Sequence, residues 1–529
     1  LLSEQLPRQR TKFRIVPTLG ASLLALATAA PAFAIDGDPA SVEELEARIE
    51  QLEATNAQLI EILRAQGLLP AEGATAAPAQ TAAPARPAPH APMHTARHEP
   101  GADHGATHTA HRQDEWHQNL VGVSPSYGYE ILDHAEGVNT RQLTILQAMQ
   151  DGELDRRVTL SGGVTAIANY QESNSNTKFG WLMRHPTSNN QIGETVSEMV
   201  VHSAQLATTA RVSDDFTVYA EMLYNPEQSF GSGTITDLNR NQVQVRKAFV
   251  MWGNLDERPV YVALGKMDTP FGLQDTVSPF TNSTSWHAFA GLAYGGMVGY
   301  YRDGFHLRTM AIQGGAQFRS HNAPVEGTAV PSRVNNFALD ANYTAQLSGG
   351  EVMVGASYTH ATAYCQPFPV FHFTPCPDNN PAWAIYGTAD FGAFEFLAEY
   401  AETTDVWPGT ASPIPPLDVF DPVAPLSWTV GGRYWMDLRR SEDLAISFEF
   451  SRFVSGEEGA PWERQNQWVL GGSYFVTDSV NLFGEIIHTQ GWVPLNFLSG
   501  GNPGSLPGTS WSEFDAETNV INLGVQAAF

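Results

Sequence analysis

From Val158 to Phe529, apolar and polar side chains alternate one by one in stretches of about ten residues, each ending at a cluster of turn residues. A period of two sends successive side chains to opposite faces of a strand. Sixteen such stretches begin near Val158, Met199, Asp215, Gln244, Pro259, Ala293, Phe305, Val334, Gly350, Pro381, Gly392, Leu426, Glu442, Arg464, Ser479 and Thr518. Their connections alternate in length. SDD (213–215), NLDER (254–258), RDG (302–304), SGG (348–350), DLRRS (437–441) and TDS (477–479) take turns with much longer ones. A water-soluble sandwich has no use for that alternation. A barrel crossing an outer membrane has one, because its short turns face the periplasm and its long loops the exterior, with an even number of strands. The pattern predicts an all-β chain, a sixteen-stranded antiparallel transmembrane β-barrel over 158–529.

Alternation also assigns faces, since lipid demands apolar side chains outward and a watery lumen accepts polar ones. In LSWTVGGRYWM, Leu426, Trp428, Val430 and Tyr434 point out and Arg433 points in. The same reading sends Glu221, Asp340, Glu395, Glu399, Glu449 and Glu485 inward, with Arg246 and Arg308 on the other side of the charge balance. Carboxylates are in modest excess, which predicts a weak preference for cations. Wall charges that pair with each other and select little are the alternative. The stretch NVINLGVQAAF carries Ile521, Leu523, Val525, Ala527 and Phe529 on one face, and a final strand stopping on an aromatic resembles the assembly signal of outer-membrane barrels.

Upstream the period changes. VNTRQLTILQAMQDGEL (138–154) has Leu143, Leu146, Met149 and Gln150 at helical spacing, so a short helix is expected in a pre-barrel segment at 118–157. In 36–66, Val42, Leu45, Ile49, Leu52, Asn56, Leu59 and Leu63 alternate by three and four, the heptad of a short α-helical coiled coil. Asn56 at a core position fixes register and oligomer state, and a homotrimer is the expected assembly, with a dimer as the other outcome. Residues 67–117 are alanine, proline, threonine and histidine, too poor in large apolar groups to fold, and are expected to be a disordered linker. Arg8, Arg10, Lys12 and Arg14 before an apolar run ending in AFA mark 1–34 as a signal peptide. These regions together predict a cell outer-membrane protein of a Gram-negative bacterium, with its N-terminal part in the periplasm.

Composition narrows the partners. With 29 basic and 56 acidic residues the formal charge is −27, which excludes nucleic acid and leaves small solutes or ions, and membrane lipid, as partners. Cys365 and Cys376, the only cysteines, sit close together in a turn-rich stretch and suit a local disulfide in an oxidising compartment; a metal or redox role is the other reading. His306, His360 and His488 lie on different stretches with no assignable nucleophile, so no enzyme is expected. No cofactor is required. A passive channel is the function the pattern supports, with a structural tether between membrane and cell wall as an alternative.

The order of signal peptide, coiled coil, low-complexity linker and a barrel carrying GKMDTPFG with a trailing SPF resembles the siderophore-porin family of the legiobactin-uptake type. More distantly it resembles the phosphate-selective porin O/P group. The resemblance implies a substrate-selective uptake channel for a siderophore or phosphate. That group binds its anion with lysine and arginine clusters, whereas Lys178, Lys247 and Lys266 are the only lysines here beyond the signal. In general porins the third long connection folds into the barrel; here that connection is 265–292, offering Asp268, Asp275, Trp286 and His287 as lining candidates. An ordinary surface loop is the alternative.

The linker holds His90, His94, His98, His104, His108, His111 and His117, spaced four, four, six, four, three and six apart. Neutral imidazole binds zinc, copper and nickel, and the intervening prolines favour loose, exchangeable coordination over a closed site. An alanine-rich spacer kept soluble by its histidines is the alternative. Titrating zinc into a peptide of residues 86–118 at pH 7.5 is expected to give saturable binding at micromolar to tens-of-micromolar metal, lost on His→Ala replacement. A flat titration removes the metal-capture reading.

Overall fold

The computed structural model describes residues 120–133, 137–174, 180–183, 193–226, 241–317, 320–323, 333–366, 378–413, 415–440, 443–491 and 516–529. The signal peptide, coiled coil and histidine-rich linker expected from the sequence lie outside them. The alternating stretches become sixteen barrel strands. They are β2 Val158–Ser173, β3 Thr195–Arg211, β4 Phe216–Tyr224, β5 Val243–Gly253, β6 Val260–Asp268, β7 Leu292–Arg302, β8 Phe305–Gln313 and β11 Val334–Leu347. The second half comprises β12 Gly350–Thr359, β13 Ala382–Phe391, β14 Phe394–Thr403, β15 Leu426–Met436, β16 Leu444–Val454, β17 Arg464–Thr477, β18 Val480–Gly491 and β19 Ala516–Ala528. Three short strands complete the order: β1 Val121–Val123, β9 Gly315–Gln317 and β10 Ser320–Ala323.

Each barrel strand pairs antiparallel with the next, β8 with β11 across the connection that holds β9 and β10. β19 closes the circle on β2, with Leu523 opposite Ala168. Closure leaves no edge, and an open edge is what a bilayer does not tolerate. Where β19 ends, Phe529 exchanges both backbone hydrogen bonds with Gly162, at 2.9 and 3.1 Å. β1 takes over below it, parallel to β2 with Gly122 opposite Thr159.

Most strands start within two residues of the sequence expectation. β3 starts four residues earlier, at Thr195, because a bulge at His202 breaks the alternation: Val201 pairs with Ala166 and Ser203 with Thr165, so His202 and Ser203 are both buried. A second bulge lies at Arg246, between Lys247 opposite Glu221 and Val245 opposite Met222. The outer face is apolar, with Leu264, Phe448, Ile486 and Leu523 exposed to what must be lipid. Near the long-loop end, Trp428, Phe450, Trp468 and His488 stack across four adjacent strands at centroid distances of 4.9, 4.9 and 5.3 Å. Such a girdle marks the bilayer interface.

The core lies inside the barrel. On β4 to β8 many inward positions are apolar: Tyr219, Phe249, Met251, Tyr261, Ala263, Met297, Met310 and Ile312 are all buried. A water-filled lumen would leave these side chains wet. They are covered by the pre-barrel segment, whose helices α1 Pro125–Glu130 and α2 Arg141–Gln150 contribute Tyr127, Ile145, Leu146 and Ala148, with Ile131 and Leu154 beside them. The short helix expected at 138–154 therefore forms, but within the body rather than ahead of it. A ten-residue helix is marginal alone in water. Burying Ile145 and Leu146 stabilises it by about 1.5–3 kcal/mol each. Its last turn sits at the short-turn end, where Gln150 Nε2 donates to Asp256 Oδ1 at 3.1 Å and Met149 Sδ lies 3.5 Å from Thr217 Oγ1.

Candidate functional site

A chain segment inside a barrel has no strand ladder to satisfy its backbone, yet buried N–H groups must find acceptors. The connection of residues 269–291, between β6 and β7, folds inward and finds them on the wall. Glu485 on β18 accepts from Phe280 N at 2.9 Å, Thr281 N at 2.8 Å, Thr281 Oγ1 at 2.8 Å and Asn522 Nδ2 at 3.2 Å. Glu449 on β16 accepts from Thr276 Oγ1 at 2.6 Å and Val277 N at 3.1 Å. Glu399 on β14 accepts from Leu273 N at 2.8 Å. Ser357 and Ser451 take Gly272 N and Thr284 N. Within the loop, Ser283 caps helix α3 Thr284–Phe289 by accepting from Trp286 N at 3.1 Å. Apolar contacts seat the rest. Phe280 is buried with Trp181, Val469, Phe483, Ile487 and Val520, and Phe271 with Ala382, Ala384 and Ala401.

The pre-barrel segment meets β17 to β19 through Tyr129, whose OH donates to Gln526 Oε1 at 3.0 Å; most of it lies against the opposite wall, and there the wall donates. Gln205 Nε2 bonds Ile131 O at 2.6 Å, Lys247 Nζ bonds Val138 O at 3.3 Å, Arg308 Nη1 bonds Asn139 O at 2.6 Å, and Arg211 Nη1 bonds Leu154 O at 3.0 Å. The wall cations also have wall partners. Lys247 meets Asp268 at 2.7 Å, and Arg308 gives Asp340 two bonds, of 2.7 and 3.1 Å. Asp340 further accepts from Ser357 Oγ and Tyr386 OH. Among the described residues, Arg246 pairs with Asp133 at 3.6 Å and so joins wall to segment. Arg141 folds back on the segment, donating to the carbonyls of Glu130 and Ile131. Burial opposes its charge, but Tyr219, Glu221 and other facing groups outweigh burial and hold the guanidinium above its ordinary value.

The two inserts meet in a seam. Gly137 N donates to Asp275 Oδ1 at 2.7 Å, and Asn139 Nδ2 donates to Gly272 O at 2.9 Å. Gly137 holds φ at 67°, a left-handed turn that suits glycine. On the short-turn side of the seam a chamber of about 740 Å³ remains, lined among others by Gln147, Asp275, Asp303, His306, Arg308, Glu351 and Tyr386.

The sequence-assigned wall residues do point inward, but most are not wet. Glu399, Glu449 and Glu485 are buried under the loop, and Glu221, bonded to Tyr219 OH at 2.7 Å, is buried near the pre-barrel segment. The expectation that they line open water is corrected, because inserted backbone covers them. Arg246, Arg308 and Asp340 hold the pairs given above. Glu395 and Arg433 pair at 2.9 Å, and Arg433 also donates to Val277 O. Of the four lining candidates, only Asp275 reaches the chamber. Asp268 is bound to Lys247, and Trp286 and His287 are buried in the folded loop, which corrects those three. Lys247, Asp133, Arg141, Asp303 and Glu351 were missed. The bulge hid Lys247, but the doubly apolar strands β4 to β8 were a readable sign of the insert. Cys365 is in a disulfide; Cys376 and the seven linker histidines lie outside the described residues. Among the described residues no group of three or more side chains is arranged to hold a metal ion.

Residues 144–491 match the Gram-negative porin family. No curated protein sequence matches the chain. Among solved structures, the chain is similar to the anion-selective porin from Comamonas acidovorans, at 12% identity and a TM-score of 0.44, covering 70% of this chain and 99% of that one. The outer membrane channel DcaP of Acinetobacter baumannii gives 15% identity and 0.41, covering 70% and 97%. OprB of Pseudomonas putida gives 10% and 0.45, covering 72% and 97%.

The anchoring of the loop predicts an asymmetry between carboxylates. Glu485→Gln puts an N–H where N–H donors converge, and leaving a buried donor unpaired is expected to lower unfolding stability by about 1–3 kcal/mol. Glu395→Gln, at a partly exposed pair, is expected to cost less than about 1 kcal/mol. Urea unfolding in liposomes checks this; equal losses contradict the anchoring role.

Proposed function

From the premise that the chain belongs to the Gram-negative porin family, we propose that its outer-membrane barrel passes small solutes and ions by passive diffusion with a weak preference for cations. One observation carries the preference. The chamber beside the seam is lined by Asp275, Asp303 and Glu351, of which Asp303 has an exposed, water-screened partner in Arg302 at 3.3 Å, while the arginine lining it, Arg308, is buried and bonded to Asp340. Carboxylates in a confined aqueous space concentrate cations and repel anions. The effect is screened over about 10 Å at 0.1 M salt, so it weakens as salt rises. A phosphate-selective reading calls for cations available to the solute, and Lys247 and Arg308 each have a carboxylate partner instead.

Porin-type barrels turn their short connections toward the periplasm, which supports a periplasmic position for residues 120–123, since β1 pairs with the start of β2 at the short-turn end. The heptads at 36–66 support self-association, which we read as a trimer.

In planar bilayers under a salt gradient, the reversal potential is expected to take the sign of cation preference. The double variant Asp275→Asn, Glu351→Gln is expected to move it measurably toward zero with the barrel intact. Anion preference in the unaltered protein, or no shift in the variant, contradicts the reading.

A further inference from the structure

We propose that residues 124–133 and 137–154 act as a displaceable plug: they close the lumen at rest by meeting the inserted loop at the seam, and the conducting state is the one in which they leave the wall while the loop stays. The proposal rests on the reading of the barrel as a channel and adds how it opens.

The two inserts are held by opposite hydrogen-bond polarities. The loop brings backbone N–H groups to buried wall carboxylates, and Glu485 alone takes three donors from it. Withdrawing the loop would strip Glu399, Glu449 and Glu485 of partners, and it is tied to a strand at each end. The pre-barrel segment brings carbonyls to wall side-chain donors, namely Gln205, Arg211, Lys247 and Arg308. Water entering the lumen can hydrate donors and carboxylates alike, so the difference between the inserts lies in attachment: the loop is tied to a barrel strand at each end, the segment to a barrel strand only downstream. Departure breaks the pair of Arg246 with Asp133, at 3.6 Å, but leaves the closest pairs on the wall intact. Lys247 keeps Asp268 and Arg308 keeps Asp340, both at 2.7 Å, and Glu221 keeps the Tyr219 hydroxyl.

What holds the plug at rest is apolar contact. Tyr127, Ile131, Ile145 and Leu146 cover Tyr219, Phe249, Met251 and Tyr261, and uncovering that wall in a watery lumen favours return. The connection to the barrel is also one-sided. The segment runs directly into β2 at its downstream end, while upstream β1 pairs over only three residues. The chamber beside Thr140, Leu143 and Gln147 gives one side of α2 open space next to it.

The test fixes or loosens the segment without touching the proposed selectivity residues. In Met149→Cys, Thr217→Cys, whose parent side chains touch at 3.5 Å, a short bis-methanethiosulfonate cross-linker, which forms a disulfide with each thiol as it releases sulfinate and is cut by reductant, ties α2 to β4. Leu146→Asp instead sets a carboxylate into the apolar contact and favours departure. Single-channel recordings in planar bilayers are expected to show several-fold less current from the cross-linked protein than from the same protein after reduction. Leu146→Asp, with barrel folding checked by heat-modifiable mobility, should spend several-fold more time at the larger conductance. Unaltered protein given cross-linker and reductant controls for the disulfide at Cys365. A cross-link confirmed by mass that leaves current unchanged overturns the proposal, as does a folded Leu146→Asp barrel that conducts like the unaltered one. No current from any form, the reduced and Leu146→Asp proteins included, overturns the channel reading together with the plug; current that is the same in all forms overturns the plug alone.

Discussion

A backbone that enters a barrel lumen leaves its hydrogen-bond partners behind, and here the inward carboxylates of the wall replace them. Glu485, Glu449 and Glu399 lie on three different strands, and together they receive the backbone of residues 273–281. Charge-assisted bonds of this kind are about twice as strong as neutral ones and fix direction as well as distance. The path of the loop follows from where these acceptors stand. Phe280 and Phe271 then fill apolar hollows of the wall, Phe280 beside Trp181 and Met183. The same carboxylates are thereby withdrawn from water, so charge on the inner wall and charge felt by a passing ion are different quantities.

The opposite wall solves the same problem with donors. Lysine and arginine side chains there are paired on the wall and offer their remaining hydrogens to carbonyls of the pre-barrel segment. Buried ion pairs add little net stability, because desolvation offsets much of their attraction. The apolar face of α2 against β4 to β8 therefore carries most of the docking, and the ion pairs fix where the segment lies. One insert is locked and the other is seated.

Strand number, strand order and inward direction were all legible from alternation. Lipid enforces a period of two on every strand, and each short turn carries its own residue signature, as in Asp303-Gly304 and Ser348-Gly349. What alternation misread were positions where the period breaks or the lumen is not water. At the bulge beside Arg246, two neighbouring residues serve one face, and Lys247 was passed over. Glu399, Glu449 and Glu485 were given the right direction and the wrong surroundings, since a strand pattern carries no record of which loop will cover it. The helix over Leu143, Leu146 and Met149 was readable, and so were apolar residues on both faces of β4 to β8. That these two apolar surfaces belong together is a tertiary fact that neither pattern states alone.

The central claim is that the lumen is occupied by segments docked on its wall, and amide hydrogen exchange over Arg141–Gln150 tests it most directly. A free helix of this length frays in water and exchanges within seconds to minutes, roughly as an unfolded peptide does. Docked as described, its inner amides should be protected many-fold over that rate in the folded barrel in nanodiscs, and should lose protection in Leu146→Asp while the strands keep theirs. Exchange of this helix at the free-peptide rate in the unaltered, folded protein would contradict the account.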